Sequence, residues 1–181
     1  MNRVVITGIG IYSSLGKNKE EVTHSLKNGI SGIRLRPERK ALGYQSGLTG
    51  YVDRPDLKKL LDRRSRIMMP EQAEYAYVST MEAIQHSGVT PDYYKDNETG
   101  IIFGNDSSAL PTIEGMDLVR AKKDTMLLGS GSVFQVLNST VTMNLATIFK
   151  LKGVNFTISA ACASGSHSLG LGYMFIKNGL Q

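Results

Sequence analysis

The chain has 181 residues, of which 41% are hydrophobic and 20% charged, with 19 glycines, 5 prolines and a formal net charge of +5. This excludes collagen-like and strongly disordered classes, and the length permits one domain whose core needs no covalent staples. A single cysteine excludes an internal disulfide and a cysteine-based zinc site and suits a reducing cytoplasm, and no run of about 18 apolar residues exists to span a membrane.

Arg3–Gly8 (RVVITG) is short, β-branched and closed by glycine, so it reads as a buried strand. Met1-Asn2-Arg3 before it imitates a signal peptide, but Thr7, Gly8 and Gly10 interrupt the apolar run and no small-x-small cleavage site follows. Asn18 with Glu21 is a relative of the capping box, so a helix is expected from about Lys19 to Asn28, stopped by Gly29. Residues 30–56 read as irregular, broken by Gly32, Pro37, Gly43, Gly47, Gly50 and Pro55. Pro70 opens a helix that puts Ala73, Ala76, Tyr77, Thr80, Met81 and Ile84 on one face and ends at Gly88.

Thr99–Gly104 (TGIIFG) is a second strand and Thr112–Lys123 a helix. Ser132 caps a longer helix, with Val133, Leu137, Val141, Leu145 and Ile148 as its stripe. Val154–Ser159 (VNFTIS) is a third strand, followed by a helix over Gly165–Lys177. Strands alternating with helices predict an α/β fold, a layered, largely parallel sheet with helices on both faces. The chain stops just after a helix that should lead into another strand, and a three-stranded sheet would have open edges. The residues therefore read as the front part of something larger.

The positive charge is local. Leu57–Arg66 reads LKKLLDRRSR, five basic residues against one aspartate. No aromatic residues interleave for base stacking and no zinc-finger or RNA-motif spacing appears, so nucleic acid is not the expected partner. A solvated helix face and a docking patch for an acidic partner both fit. Gly8-Ile9-Gly10 resembles the opening of a dinucleotide fingerprint, but the third glycine position holds Ser13 and the next helix starts too late. Three histidines without an H-E-x-x-H spacing give no metal site, and no cofactor is expected.

The informative stretch is Ser159-Ala160-Ala161-Cys162-Ala163-Ser164-Gly165-Ser166-His167. A strand ends, a turn of small residues follows, and a helix begins, with Cys162 at the turn. The N–H groups and partial positive charge of a helix N-terminus favour thiolate over thiol and can hold a developing oxyanion. That suits nucleophilic acyl transfer through a thioester. The plain alternative is a buried, inert cysteine. His167 follows by five residues, turned about 140° around a helix from Cys162, so it reads as structural rather than as a base.

Four segments resemble one family: VVITGIGIYSSLG, DRRSRIMMPEQAEYA, TGIIFGN and LATIFKLKGVNFTISAACASGSHSLG. Together they are similar to the N-terminal half of the elongating β-ketoacyl-[acyl carrier protein] synthases, condensing enzymes of the thiolase fold. In TGIIFGN the turn departs from the family, since Asp106 stands where a glycine is usual. The resemblance implies that residues 1–181 are an N-terminal thiolase-like ketosynthase domain, apparently incomplete. It implies acyl transfer from acyl carrier protein to Cys162, then decarboxylative Claisen condensation with malonyl carrier protein.

It further implies an oxyanion contact from the Cys162 N–H and docking of the acidic carrier protein on Arg63, Arg64 and Arg66. Ser107 and Leu137 would line the acyl pocket, Leu137 across the interface of a homodimer or heterodimer. The family's two catalytic histidines, its lysine and its gating loop lie in a C-terminal half absent from these residues, so that half is itself an expected partner. Two alternatives stand beside this. One is a non-catalytic chain-length or carrier-binding subunit, against which Cys162 argues. The other is a thiolase-type enzyme acting on coenzyme A esters, against which the basic segment and the late position of Cys162 argue.

Overall fold

In the computed structural model, which describes residues 2–181, the elements in chain order are α1 (Lys19–Lys27), β1 (Arg34–Leu35), α2 (Pro37–Ala41), β2 (Leu48–Thr49), α3 (Arg63–Ile67), α4 (Glu71–Ser87), α5 (Pro91–Asp96), β3 (Ile101–Gly104), α6 (Ala109–Lys122), α7 (Ser132–Gln135), α8 (Thr140–Phe149), β4 (Asn155–Ile158) and α9 (Ser164–Lys177). Two short 3₁₀ turns, Met126–Leu128 and Ala161–Ala163, complete the list. The first residue of the leader-like start lies outside the described residues. The chain divides into two units, one of Asn2–Ile6, Asp56–Glu74 and Val89–Gln181, the other of Thr7–Pro55 and Tyr75–Gly88.

The first unit is built on β3 and β4, which pair in parallel with Ile101 opposite Asn155 and Gly104 opposite Ile158. Successive strand residues point to opposite faces, and β4 shows what each face meets. The hydroxyl of Thr157 pairs with that of Thr142 on α8 at 2.8 Å. The ring of Phe156 meets that of Phe175 on α9 edge-on, 5.7 Å between centroids. Helices therefore cover both faces of the pair, as the alternation of elements predicts. Val141, Leu145 and Phe149 of α8, spaced by four residues, form a buried stripe against the sheet, with Tyr94 of α5 edge-on to Phe149.

The strand predicted over Arg3–Gly8 is not formed. Its β-branched residues supply propensity, but a strand also needs a neighbour to complete its hydrogen bonds. Among the described residues no strand pairs with it, and Val5 and Ile6 are exposed. The long helix predicted from Ser132 is broken into α7 and α8. Side chains from the loop after β3 explain the break: Asn105 Nδ2 donates to the Asn138 carbonyl at 2.7 Å and Ser108 Oγ to that of Leu137 at 3.0 Å. The stripe predicted along this helix holds for Val141 and Leu145, while Val133 and Leu137 are exposed.

In the second unit, α1 matches its predicted span to one residue. Asn18 Oδ1 accepts the Glu21 N–H at 2.8 Å, and Glu21 reaches back to the Lys17 N–H at 2.8 Å. That last bond is the chief reason the Glu21 carboxyl sits below the usual carboxylate range. Gly29 closes the helix with φ +64°, the left-handed conformation that glycine adopts freely. The stretch read as irregular contains α2 and a short antiparallel pair, β1 with β2.

Gly8-Ile9-Gly10 has a packing role here. A methyl group on Gly8 would lie 2.1 Å from the carbonyl oxygen of Ala83, and one on Gly10 1.8 Å from that of Ser79. Only glycine lets this extended segment lie so close to α4. Its amides are then satisfied by α4 side chains: Ile9 N–H donates to His86 Nδ1 at 3.0 Å and Ile11 N–H to Glu82 Oε2 at 2.8 Å. His86 thus anchors the segment, with Glu82 also accepting the Lys19 N–H at 2.7 Å.

Asn18→Ala removes the cap of α1 and is expected to cost about 1 kcal/mol of stability, measurable by urea denaturation followed by circular dichroism. Because the Glu21 carboxyl is depressed on folding, its contribution is full above the ordinary carboxylate range and fades as the pH falls through the depressed value. The stability gap between the unsubstituted chain and Glu21→Gln should close on acidification.

Candidate active site

The single cysteine stands where β4 meets α9. Cys162 is exposed and lies in the 3₁₀ turn that leads directly into the helix. The residue before it, Ala161, has φ +47°. For a residue with a Cβ, this left-handed conformation costs roughly 1–2 kcal/mol, so the surroundings must hold it.

They hold it from both sides. Asp106 Oδ1 accepts the Ala161 N–H at 3.0 Å and the Ser159 hydroxyl at 2.5 Å. Ser164, buried at the start of α9, accepts the Ala160 N–H at 2.9 Å and donates to the Ala161 carbonyl at 2.7 Å. Among the described residues the Cys162 N–H has no acceptor, so it is free to meet a ligand oxygen. The Ser159 hydroxyl, and after it the Ala161 N–H, holds the Asp106 carboxyl below its usual range.

The loop that presents Asp106 is itself anchored. Gly104 closes β3 against the first turn of α9, where an added Cβ would meet Ser164 and Gly165 backbone at 2.5–2.6 Å. The Asn105 N–H continues the ladder to the Ile158 carbonyl at 3.1 Å. The buried Ser108 hydroxyl accepts from Gln72 Nε2 at 2.7 Å while donating to the Leu137 carbonyl. These bonds bring residues 105–108, residues 137–138 and the cysteine turn into one cluster. Ser107 and Leu137, separated by thirty positions in sequence, both lie in it and both are exposed.

The whole chain, residues 1–181, matches the family model described as β-ketoacyl synthase, N-terminal domain. The chain belongs to this family. It is 38% identical to 3-oxoacyl-[acyl-carrier-protein] synthase 1 of Haemophilus influenzae over 182 aligned residues, covering 100% of this chain and 45% of that protein. A crystal structure of a β-ketoacyl synthase from Burkholderia phymatum superposes on it with a TM-score of 0.83 at 25% identity, again over 100% of this chain and 45% of that one. A type II polyketide ketosynthase in complex with its acyl-carrier protein aligns with a TM-score of 0.72 at 19% identity over 97% of this chain and 47% of that one. The fold is thus that of the thiolase-like ketosynthases, and the chain spans about 45% of the length of the curated relatives.

On this ketosynthase domain the basic segment is split in character. Arg63 and Arg64 open α3 and are exposed, whereas Arg66 is half-buried, with its Nε donating to the Leu61 carbonyl at 3.2 Å. Asp62 caps α3 by accepting the Ser65 N–H at 2.8 Å, which is the largest cause of its lowered carboxyl pKa. His167, in the first turn of α9, is exposed. Among the described residues no group of three or more His, Cys, Asp or Glu side chains could hold a metal ion, and no helix is long and apolar enough to cross a membrane.

Ser164 and the clamping role of Asp106 escaped sequence reasoning. Asp106 carried a signal, its departure from the family's glycine, but a departure does not say what the new side chain touches. Ser164 looked like one more small residue.

Gly104→Ala should destabilise the domain by about 1–3 kcal/mol, because the added methyl meets backbone on α9 that cannot rotate away. Thermal unfolding followed by circular dichroism reads this directly.

Proposed function

We propose that this domain is the nucleophile-bearing part of a β-ketoacyl-[acyl carrier protein] synthase and that Cys162 accepts the acyl group. The observation that supports this most is the placement of the only cysteine: exposed, at a helix N-terminus, behind a left-handed residue held by two side chains. The Cys162 thiolate attacks the thioester carbonyl of the acyl carrier protein, the Cys162 N–H supports the oxyanion, and the carrier thiol departs. Malonyl carrier protein then loses carbon dioxide, and the enolate attacks the acyl-cysteine. The product is a β-ketoacyl carrier protein two carbons longer, with Cys162 released as thiolate.

The condensation draws on catalytic groups outside residues 1–181, in a C-terminal half, and the domain works in the cytoplasm. Ser107 and Leu137 line the acyl path. In support, an apolar cavity of about 410 Å³ lies between α6 and α7, bordered by Val133 and Val136 just ahead of Leu137. Arg63 and Arg64 meet the acidic carrier protein, with Arg66 assisting from its half-buried position. A second ketosynthase subunit covers apolar side chains left exposed on α9, among them Leu169 and Met174. Relatives that carry a carrier protein in their own names and titles support the choice of donor.

Cys162→Ala should abolish acyl-enzyme formation without unfolding the domain, since the change removes one exposed sulfur. The check is an intact-protein mass spectrum after incubation with an acyl carrier protein thioester, and an acyl adduct on the variant would overturn the assignment. Faster acylation by acyl coenzyme A than by the carrier thioester would favour the thiolase-type alternative.

Arg63→Glu combined with Arg64→Glu should slow acylation by carrier protein about tenfold or more at low salt and flatten its salt dependence. An unchanged rate and slope would return α3 to plain solvated surface.

A further inference from the structure

Among the described residues, Asp106 is the one charged side chain hydrogen-bonded to the turn that carries Cys162. One oxygen, Oδ1, takes two donors two residues apart on either side of Ala160, the Ser159 hydroxyl and the Ala161 N–H. The second donor belongs to the residue whose φ is +47°. The first sits at the end of β4, so the two bonds tie strand end and turn to a single point.

That point is fixed by the anchored loop after β3, through Asn105 to Asn138 and Ser108 to Leu137. Without it, the Ala161 N–H would lose its partner and the left-handed conformation would keep only the bonds from Ser164. The Cys162 N–H and side chain follow immediately in the chain, so any relaxation at Ala161 re-aims both.

We propose that Asp106 is a positioning residue for acyl transfer: by clamping Ser159 and Ala161 it holds Cys162 and its N–H in attacking geometry. This rests on the reading of Cys162 as the acyl acceptor. Asp106 acts through the turn: its hydrogen bonds go to Ser159 and Ala161 and not to Cys162. The clamp needs an acceptor oxygen rather than a charge, because both partners are uncharged donors. An asparagine keeps that oxygen and an alanine does not, which separates positioning from a general requirement for a residue at this place.

The test uses the full-length protein in single-turnover acylation by an acyl carrier protein thioester, followed by intact mass. Asp106→Ala is expected to lower the maximal acylation rate about ten- to a hundredfold, the scale of a small misplacement of a reacting group. The carrier concentration for half-maximal rate should stay unchanged, since docking is elsewhere. Asp106→Asn is expected to restore the rate to within about threefold of the unsubstituted protein, as its Oδ1 still accepts both bonds.

Wild-type acylation in Asp106→Ala, or equal loss in Asp106→Asn and Asp106→Ala, would overturn the inference while leaving Cys162 as the acceptor. No acylation of the unsubstituted protein would overturn the acyl-transfer reading itself, and the inference with it. Should Asp106→Ala fail to fold, Asp106→Asn and Ser159→Ala decide. Asp106→Asn keeps both bonds and should acylate within about threefold of the unsubstituted rate. Ser159→Ala removes one of the two and should slow acylation about three- to tenfold with the half-saturating carrier concentration unchanged. Ser159→Ala at the unsubstituted rate would overturn the inference. A folded Asp106→Asn that is slowed tenfold refutes the clamp.

Discussion

A backbone conformation that an alanine does not choose for itself sits at the centre of the first unit. Ala161 at φ +47° turns the chain abruptly from β4 into α9, and the turn leaves Cys162 exposed at the head of the helix. Its free energy is met by neighbours: Asp106 on the amide side, Ser164 on the carbonyl side. Each of these requires more structure behind it. Ser164 can be buried only because Gly104 brings β3 within backbone contact of α9. Asp106 can reach only because the loop after β3 is pinned to the segment between α7 and α8.

The parallel pair of strands therefore does more than cover a core. It sets the ends of β3 and β4 side by side, and everything polar about the site is assembled at those two carboxyl ends. Ligands of open α/β sheets commonly meet the strands at that end, because loops there converge while helices on both faces leave it open. The helices contribute rigidity: α8 through its buried stripe and the Thr142–Thr157 hydroxyl pair, α9 through Phe175 on Phe156. A side chain placed on such elements varies less in position than one placed on a free loop.

The second unit shows the same economy with a different motif. Gly8-Ile9-Gly10 resembles only the opening of a dinucleotide fingerprint, and here its glycines serve packing. The glycines let an extended segment lie against the backbone of α4, and His86 and Glu82 then take the amides that a strand partner would otherwise have taken. A glycine pair says that something approaches closely. It does not say whether the visitor is a ligand or the protein's own helix.

Much was legible in the residues alone. Local rules placed α1 and its cap, the start and stop of α4, the strands around Ile101–Gly104 and Asn155–Ile158, and Cys162 on a strand-turn-helix junction, because each depends on neighbours a few positions away. Resemblance to the ketosynthases supplied the family. What failed were readings needing a distant partner, the strand at Arg3–Gly8 and the unbroken helix from Ser132, and for the same reason the roles of Asp106, Ser164 and His86 could not be read at all. Propensity can be summed along a chain, but a ladder bond, a stolen carbonyl or a clamped amide exists only when remote residues meet. The sequence by itself determined that the single cysteine stands on a strand-turn-helix junction. Only the tertiary structure decided how that residue is held, because a left-handed alanine is stable solely through side chains brought to it from elsewhere in the fold.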